Sequence, residues 1–302
     1  MTNRKICRCL VVVVAAVLGL CSCCRADVER GKRPEASRIT SRYTLYENIR
    51  YGVRSHRVPP TDPASDRLLD IYIPRGEQPA EGWPIVVYIH GGGFCGGAKV
   101  DTWGIHPMLP ALTERGYAVV AINYYLRGKY HPIEGYPIEQ EMGHGLPKDG
   151  KFHPERRKYL EAASADAVRA LRWMVRNGEA YGLNLDKVAL CGGSAGAMTA
   201  LHTAYVRNPE WIDVDVVLNM WGGLEDVSVI EADMPALFTL HGEVDNVISV
   251  EYGKALHRRA EEVGLPAVLH IMEGKGHAQG AYATQTYLDE FLEFFEEQTQ
   301  NI

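Results

Sequence analysis

Cysteine is nearly absent from the body of this sequence. Of its 7 cysteines, Cys7, Cys9, Cys21, Cys23 and Cys24 fall at the start, leaving only Cys95 and Cys191 beyond them. Two thiols make no disulfide scaffold, and without a Cys-x-x-Cys pair there is no zinc ribbon. They read as small packed hydrophobes, with a bond between them as the alternative that an exported protein allows. Positive charge is thin as well. The 32 Lys and Arg against 38 Asp and Glu give a net charge of -6, with no long basic run. Nucleic acid is excluded as a partner on that ground, because neutralising phosphates needs clustered cations. Internal repeats are missing, and no linker divides the chain; 302 residues suit one large α/β domain.

Long apolar runs are missing too, apart from one. Residues 9–24 are uncharged, mostly Val, Leu and Ala, and follow Arg4, Lys5 and Arg8. The run is shorter than the ~20 residues of a membrane span and reads as a secretory signal. Cleavage after Ala26 would remove Arg4, Lys5, Arg8 and Arg25 and leave the chain more acidic still. Leu20-Cys21-Ser22-Cys23 resembles a bacterial lipobox instead, in which case Cys23 carries a lipid anchor; an uncleaved anchor is the third reading. The expected organisation is a signal over 1–26, a flexible polar tether over 27–42 and a catalytic domain over 43–302. The expected location is secreted or periplasmic, or lipid-anchored to the bacterial envelope.

What is present is a rhythm of short strands and helices. Residues 44–51 and 68–73 are rich in β-branched and aromatic side chains, and Pro59 to Pro63 makes the turn between them. Later strands at 85–89, 118–122, 188–190, 214–218, 236–240 and 267–271 are short and apolar, as strands buried on both faces of a parallel sheet are. Helical patterns at 106–115, 160–177, 196–206, 250–263 and 281–297 alternate with them, which is the signature of an α/β layered domain. Arg127 to Arg157 breaks the rhythm with four Pro, five Gly and three His (His131, His144, His153). So long an irregular segment reads as a lid or rim over a site, with an idle surface excursion as the alternative. Its widely spaced histidines lack the acidic cluster of a metal site.

Chemistry sits at the ends of the apolar strands. Gly192-Gly-Ser-Ala-Gly196 follows one strand and opens a helix; a serine on so tight a turn needs small neighbours, and the N–H of Ala195 faces a developing oxyanion. His90-Gly-Gly-Gly-Phe94 follows another strand, where successive glycines let N–H groups turn into a cleft. It lacks the Lys-Ser/Thr of a phosphate loop and the spacing of a dinucleotide site. A serine hydroxyl needs a base and the base needs an orienting group. His277, past the strand at 267–271, and Asp245, past the strand at 236–240, emerge on the same sheet edge as Ser194. His202, His241 and His90 are weaker candidates for the base, and Glu243 and Asp226 are the fallback acids.

With these motifs in this order, residues 44 to 297 resemble the α/β-hydrolase superfamily, and within it the HGGG-type esterases related to hormone-sensitive lipase and to bacterial feruloyl or acetyl esterases. The resemblance rests on Leu69 to Pro74, Trp83 to Phe94, Asn123 to Leu126, Asp166 to Trp173, the serine turn, His241 to Asp245 and Gly276-His277. It implies a mostly parallel, eight-stranded sheet with helices on both faces. It also implies Ser194 as nucleophile, His277 as base, Asp245 as orienter, and the N–H groups of Gly92, Gly93 and Ala195 as oxyanion donors, with no cofactor and no metal. Asp166 and Trp173 brace the scaffold. Phe94, Tyr124 and Trp221, with Trp103, Tyr125, Tyr130 and Tyr136, read as an aromatic rim suited to sugars or a phenolic acid, with ordinary core and surface packing as the alternative. The expected function is a secreted carboxylic ester hydrolase removing acetyl or feruloyl groups from polysaccharide. A generalist short-chain esterase, an amidase or exopeptidase of the same fold and an inactive binding module are the alternatives. Oligomeric state is not written in the sequence.

Overall fold

Strand side chains alternate between two apolar layers, and that alternation builds the molecule. In Trp83–Ile89 the side chains of Ile85, Val87 and Ile89 face one core while Val86 and Tyr88 face the other; Ala118–Ile122 divides likewise. A strand buried on both faces has to be covered by helices on both. The computed structural model describes residues 34–59, 66–100, 105–132, 142–147 and 150–300. The leader with Cys23, the turn from Pro60, and Trp103 and Tyr136 lie outside the described residues.

The strands are β1 (Arg38–Ile39), β2 (Tyr43–Arg50), β3 (Leu68–Pro74), β4 (Trp83–Ile89), β5 (Ala118–Ile122), β6 (Leu183–Gly193), β7 (Val216–Met220), β8 (Ala236–Gly242) and β9 (Ala267–Met272). They form one sheet in the order β1-β2-β3-β5-β4-β6-β7-β8-β9. Pairing is antiparallel from β1 to β5 and parallel from β5 to β9. The helices are α1 (Ile105–Glu114), α2 (Arg127–Tyr130), α3 (Pro154–Asn177), α4 (Ala195–Leu201), α5 (Val250–Val263) and α6 (Gly280–Gln300). Side chains of α3, α4 and α5 fill the first core, and α1 with α6 fill the second.

Several expectations need correction. The sheet has nine strands rather than eight. Arg38–Ile39, inside the span read as a tether, pairs with Thr44 and Leu45, and Thr40 makes the turn by accepting the Tyr43 N–H. Backbone pairing, invisible in so polar a stretch, supplies the order there. The last parallel strand is not buried on both faces: β9 is the sheet edge, and Ile271 is 41% exposed. Helix α3 begins at Pro154 rather than 160, because Pro suits a first helical turn and His153 Nδ1 accepts the Glu155 N–H there. Strand β6 extends back to Leu183 through Asn184, Asp186 and Lys187, polar residues that hide the strand pattern. No helix among the described residues is long and apolar enough to cross a membrane. Cys191 is buried, Cys95 is exposed, and the two are not joined by a disulfide.

Candidate active site

Because β4, β6, β8 and β9 run parallel, the loops that follow them open on one edge of the sheet, the usual place for a site in such folds. Ser194 stands between β6 and α4 with φ 56° and ψ -124°. A non-glycine residue in that region carries ~1–3 kcal/mol of strain. The turn is held by the Ser194 N–H, which donates to Met220 O (3.0 Å). It also depends on the absence of side chains beside it. A Cβ on Gly196 would lie 2.0 Å from Ile89 O, and one on Gly192 would lie 2.4 Å from the Gly196 carbonyl carbon.

The three residues expected to act together do meet. Ser194 Oγ lies 2.9 Å from His277 Nε2, and His277 Nδ1 lies 2.7 Å from Asp245 Oδ2. With the ring proton on Nδ1, His277 donates to Asp245 and accepts from the serine hydroxyl, a proton path from alcohol to imidazole. The second oxygen of Asp245 accepts the N–H groups of Val247 (2.9 Å) and Ile248 (3.0 Å). Burial works against this carboxylate, but the His277 ring and the two N–H donors outweigh it and hold Asp245 below the usual range. It stays ionised. The two N–H donors are backbone groups that no side chain marks; the one cue is the Asp itself, a residue type that bonds the backbone two residues on.

Around this line the backbone is turned by residues with positive φ: Gly92 (105°), Gly93 (60°), Phe94 (63°), Trp221 (47°) and Ala278 (62°). The glycine loop runs directly beside the serine, since a Cβ on Gly91 would come 3.5 Å from Ser194 Cβ. Gly92 and Gly93 therefore follow directly on the residue whose backbone runs beside Ser194, and Ala195 opens α4 after it.

The expected rim residues are placed otherwise. Phe94, Tyr124 and Trp221 are buried in the two cores rather than spread on an open rim. Tyr124 stacks on the His90 ring at 4.3 Å, and its hydroxyl donates to His90 O (2.9 Å). Phe94 packs edge-on to Tyr124. Both brace the glycine loop from behind. Trp221 meets the His277 ring edge-on at 6.4 Å and covers Gly193. Of the two readings of these rings, their burial favours packing behind the strained turns. Of the other candidates, His202 sits 3.7 Å from Glu161, and His241 is buried with Nε2 on Ile248 O (2.8 Å). Asp166 is buried, accepting from Arg67 Nε (2.9 Å) and the Tyr125 N–H (3.0 Å), a bracing position as expected. Glu243 accepts the Gly274 N–H and Asp226 caps Ser228.

The insertion was missed as a support. Met142 is buried and its carbonyl accepts the Ser249 N–H (2.9 Å), while a Cβ on Gly143 would come 2.1 Å from Asn246 O. Its return thus lies against the loop that carries Asp245. Further on, the Phe152 N–H donates to Glu225, and Arg157 Nε reaches the same carboxylate at 2.7 Å.

Fold and site together define an α/β hydrolase with a serine at its strand-to-helix turn. Residues 69–132 match the BD-FAE family model, and residues 154–239 match the model described as alpha/beta hydrolase fold. These matches agree with the α/β-hydrolase fold seen here, and the proteins the chain resembles include carboxylic ester hydrolases. It is 23% identical to lysophospholipase-like protein 1 of Mus musculus over 64% of this chain and 79% of that one. It is 23% identical to a probable carboxylic ester hydrolase, LipM, of Mycobacterium tuberculosis over 69% of this chain but only 54% of that one. Among solved structures, a truncated carbohydrate esterase from gut microbiota superposes with TM-score 0.62 at 16% identity, covering 88% of this chain and 100% of that one. A thermophilic esterase from Thermogutta terrifontis gives TM-score 0.59 at 19% identity, covering 82% and 94%.

Proposed function

We propose that this protein is a serine carboxylesterase that removes acetyl or feruloyl groups from polysaccharide, using Ser194, His277 and Asp245. The observation that carries the reading is the unbroken hydrogen-bonded line from Ser194 Oγ through His277 to Asp245. Ser194 Oγ attacks the ester carbonyl carbon as its proton passes to His277 Nε2. The new oxyanion sits against the N–H groups of Gly92, Gly93 and Ala195, where fixed donors contribute ~3–4 kcal/mol each. The tetrahedral centre collapses to an acyl-serine, and His277 hands its proton to the departing alcohol. Water then attacks the acyl group, losing a proton to His277, and the acid and free serine are released.

The carbohydrate assignment is supported by the BD-FAE match over residues 69–132 and by the carbohydrate esterase among the similar structures. The leader motifs add export, with Cys23 as the lipid-bearing residue if the lipobox is used. The test is a panel of p-nitrophenyl acetate, butyrate and octanoate, methyl ferulate and acetylated xylan. The expected result is the highest kcat/KM on acetylated xylan or methyl ferulate, and a loss of ~10⁶-fold in kcat for Ser194→Ala. Equal turnover by Ser194→Ala, or preference for an amide over every ester, would overturn it.

A further inference from the structure

One cation behind the glycine loop has no close acidic partner among the described residues. Arg127 opens α2, and among the described residues its guanidinium makes no ion pair; its Nε is buried without a hydrogen-bond partner. A buried donor left unpaired costs free energy, so a molecule that supplies the acceptor binds with that cost relieved. The position is not remote from the chemistry. The next residue, Gly128, donates its N–H to Phe94 O (3.0 Å), and a Cβ there would press on Cys95 Sγ. Phe94 is three Cα steps of about 3.8 Å from Gly91, where an added Cβ would lie 3.5 Å from Ser194 Cβ.

The surroundings are cationic in a chain of net charge -6. Desolvation, followed by the charges of Arg127, Arg57 and His56, lowers the pKa of His131. Among the described residues the acid that reaches this group is Glu155, which feels the charge of Arg127 but is bonded by Lys158 rather than by the guanidinium. Beside them Tyr125 and Tyr130 stack in parallel (5.6 Å, 7°), with Lys129 Nζ 5.5 Å from the Tyr130 ring. An aromatic pair beside an unpaired guanidinium suits a ring that carries a carboxylate.

We infer that Arg127 is a subsite for a carboxylate on the substrate, so that the enzyme selects acidic esters. The inference rests on the esterase reading above. Two sources offer that carboxylate: a uronate on the sugar that bears the acyl group, or the far end of a dicarboxylic acyl group. The experiment uses the full chain on two matched pairs. One pair is an acetylated xylooligosaccharide with and without a glucuronic acid branch; the other is p-nitrophenyl hydrogen succinate against p-nitrophenyl butyrate. In one pair kcat/KM should favour the acidic member by about tenfold, as a charge-assisted contact gives, and the pair that responds names the source. Arg127→Gln should bring that ratio close to one, Arg127→Lys should restore part of it, and added salt should erode it in the unaltered protein. Ratios near one in both pairs, or a ratio that survives Arg127→Gln, would overturn the subsite while leaving neutral ester hydrolysis in place. Absence of hydrolysis of every ester would overturn the esterase reading and the subsite with it.

Discussion

Asp245 shows most clearly how one residue is set for its task. Its two oxygens are divided: Oδ2 takes the His277 ring and Oδ1 takes two backbone N–H groups, so the carboxylate is fixed and charged where burial alone would neutralise it. Asp245→Asn keeps the shape but offers the wrong group to Nδ1 and lets the imidazole settle in the wrong tautomer. We expect kcat to fall by ~10⁴-fold with little loss of stability, measured by steady-state kinetics beside a thermal melt. A loss under tenfold would mean that another acid orients the base. Ser194, His277 and Asp245 were legible because each stands in a short glycine-marked loop after an apolar strand. For Phe94, Tyr124 and Trp221 the two readings, binding rim or packing, were not separable in sequence. An aromatic side chain looks the same in sequence whether it meets substrate or backs a strained turn.

At the scale of elements, close backbone approach decides where the catalytic loops can sit. Gly196 lets α4 lie against the end of β4, and Ala there would place a Cβ 2.0 Å from Ile89 O. Gly196→Ala should therefore cost about 4 kcal/mol or more, the range of backbone clashes without relief, read from denaturant unfolding. The insertion works similarly on the acid loop. Gly143→Ala would push on Asn246 O, next to Asp245, and a displacement of ~1 Å there lowers kcat by about 10²-fold. Here the separation of kcat from stability is the readout, since Gly143 lies outside both cores. The insertion's composition announced an irregular segment, but its contact with residues 246–249 depends on tertiary packing that no local pattern records.

For the whole molecule, two buried histidines contribute to the response to acid. Burial lowers the pKa of His202 and His241, so the folded state keeps them neutral. The unfolded chain binds protons on them below about pH 6.5, which favours unfolding as pH falls. Their contribution is complete above pH ~6.5 and is lost towards the lower, folded-state values. The melting temperature should drop between pH 7.5 and 5.5, and His241→Gln should flatten that slope. An equal slope in the variant would place the proton uptake elsewhere. The layered architecture was readable from alternating apolar runs, because buried parallel strands must be apolar. The ninth strand and the half-exposed β9 were not, since an edge is defined by what fails to pair with it.

The central claim is that Ser194 is an activated nucleophile. A fluorophosphonate reacts with a serine whose proton can be taken, so incubation with one followed by peptide mass mapping tests the claim most directly. The account predicts one adduct, on the peptide containing Ser194, absent after Ser194→Ala and greatly slowed after His277→Ala. An adduct on another residue, or none on a folded protein, would contradict it.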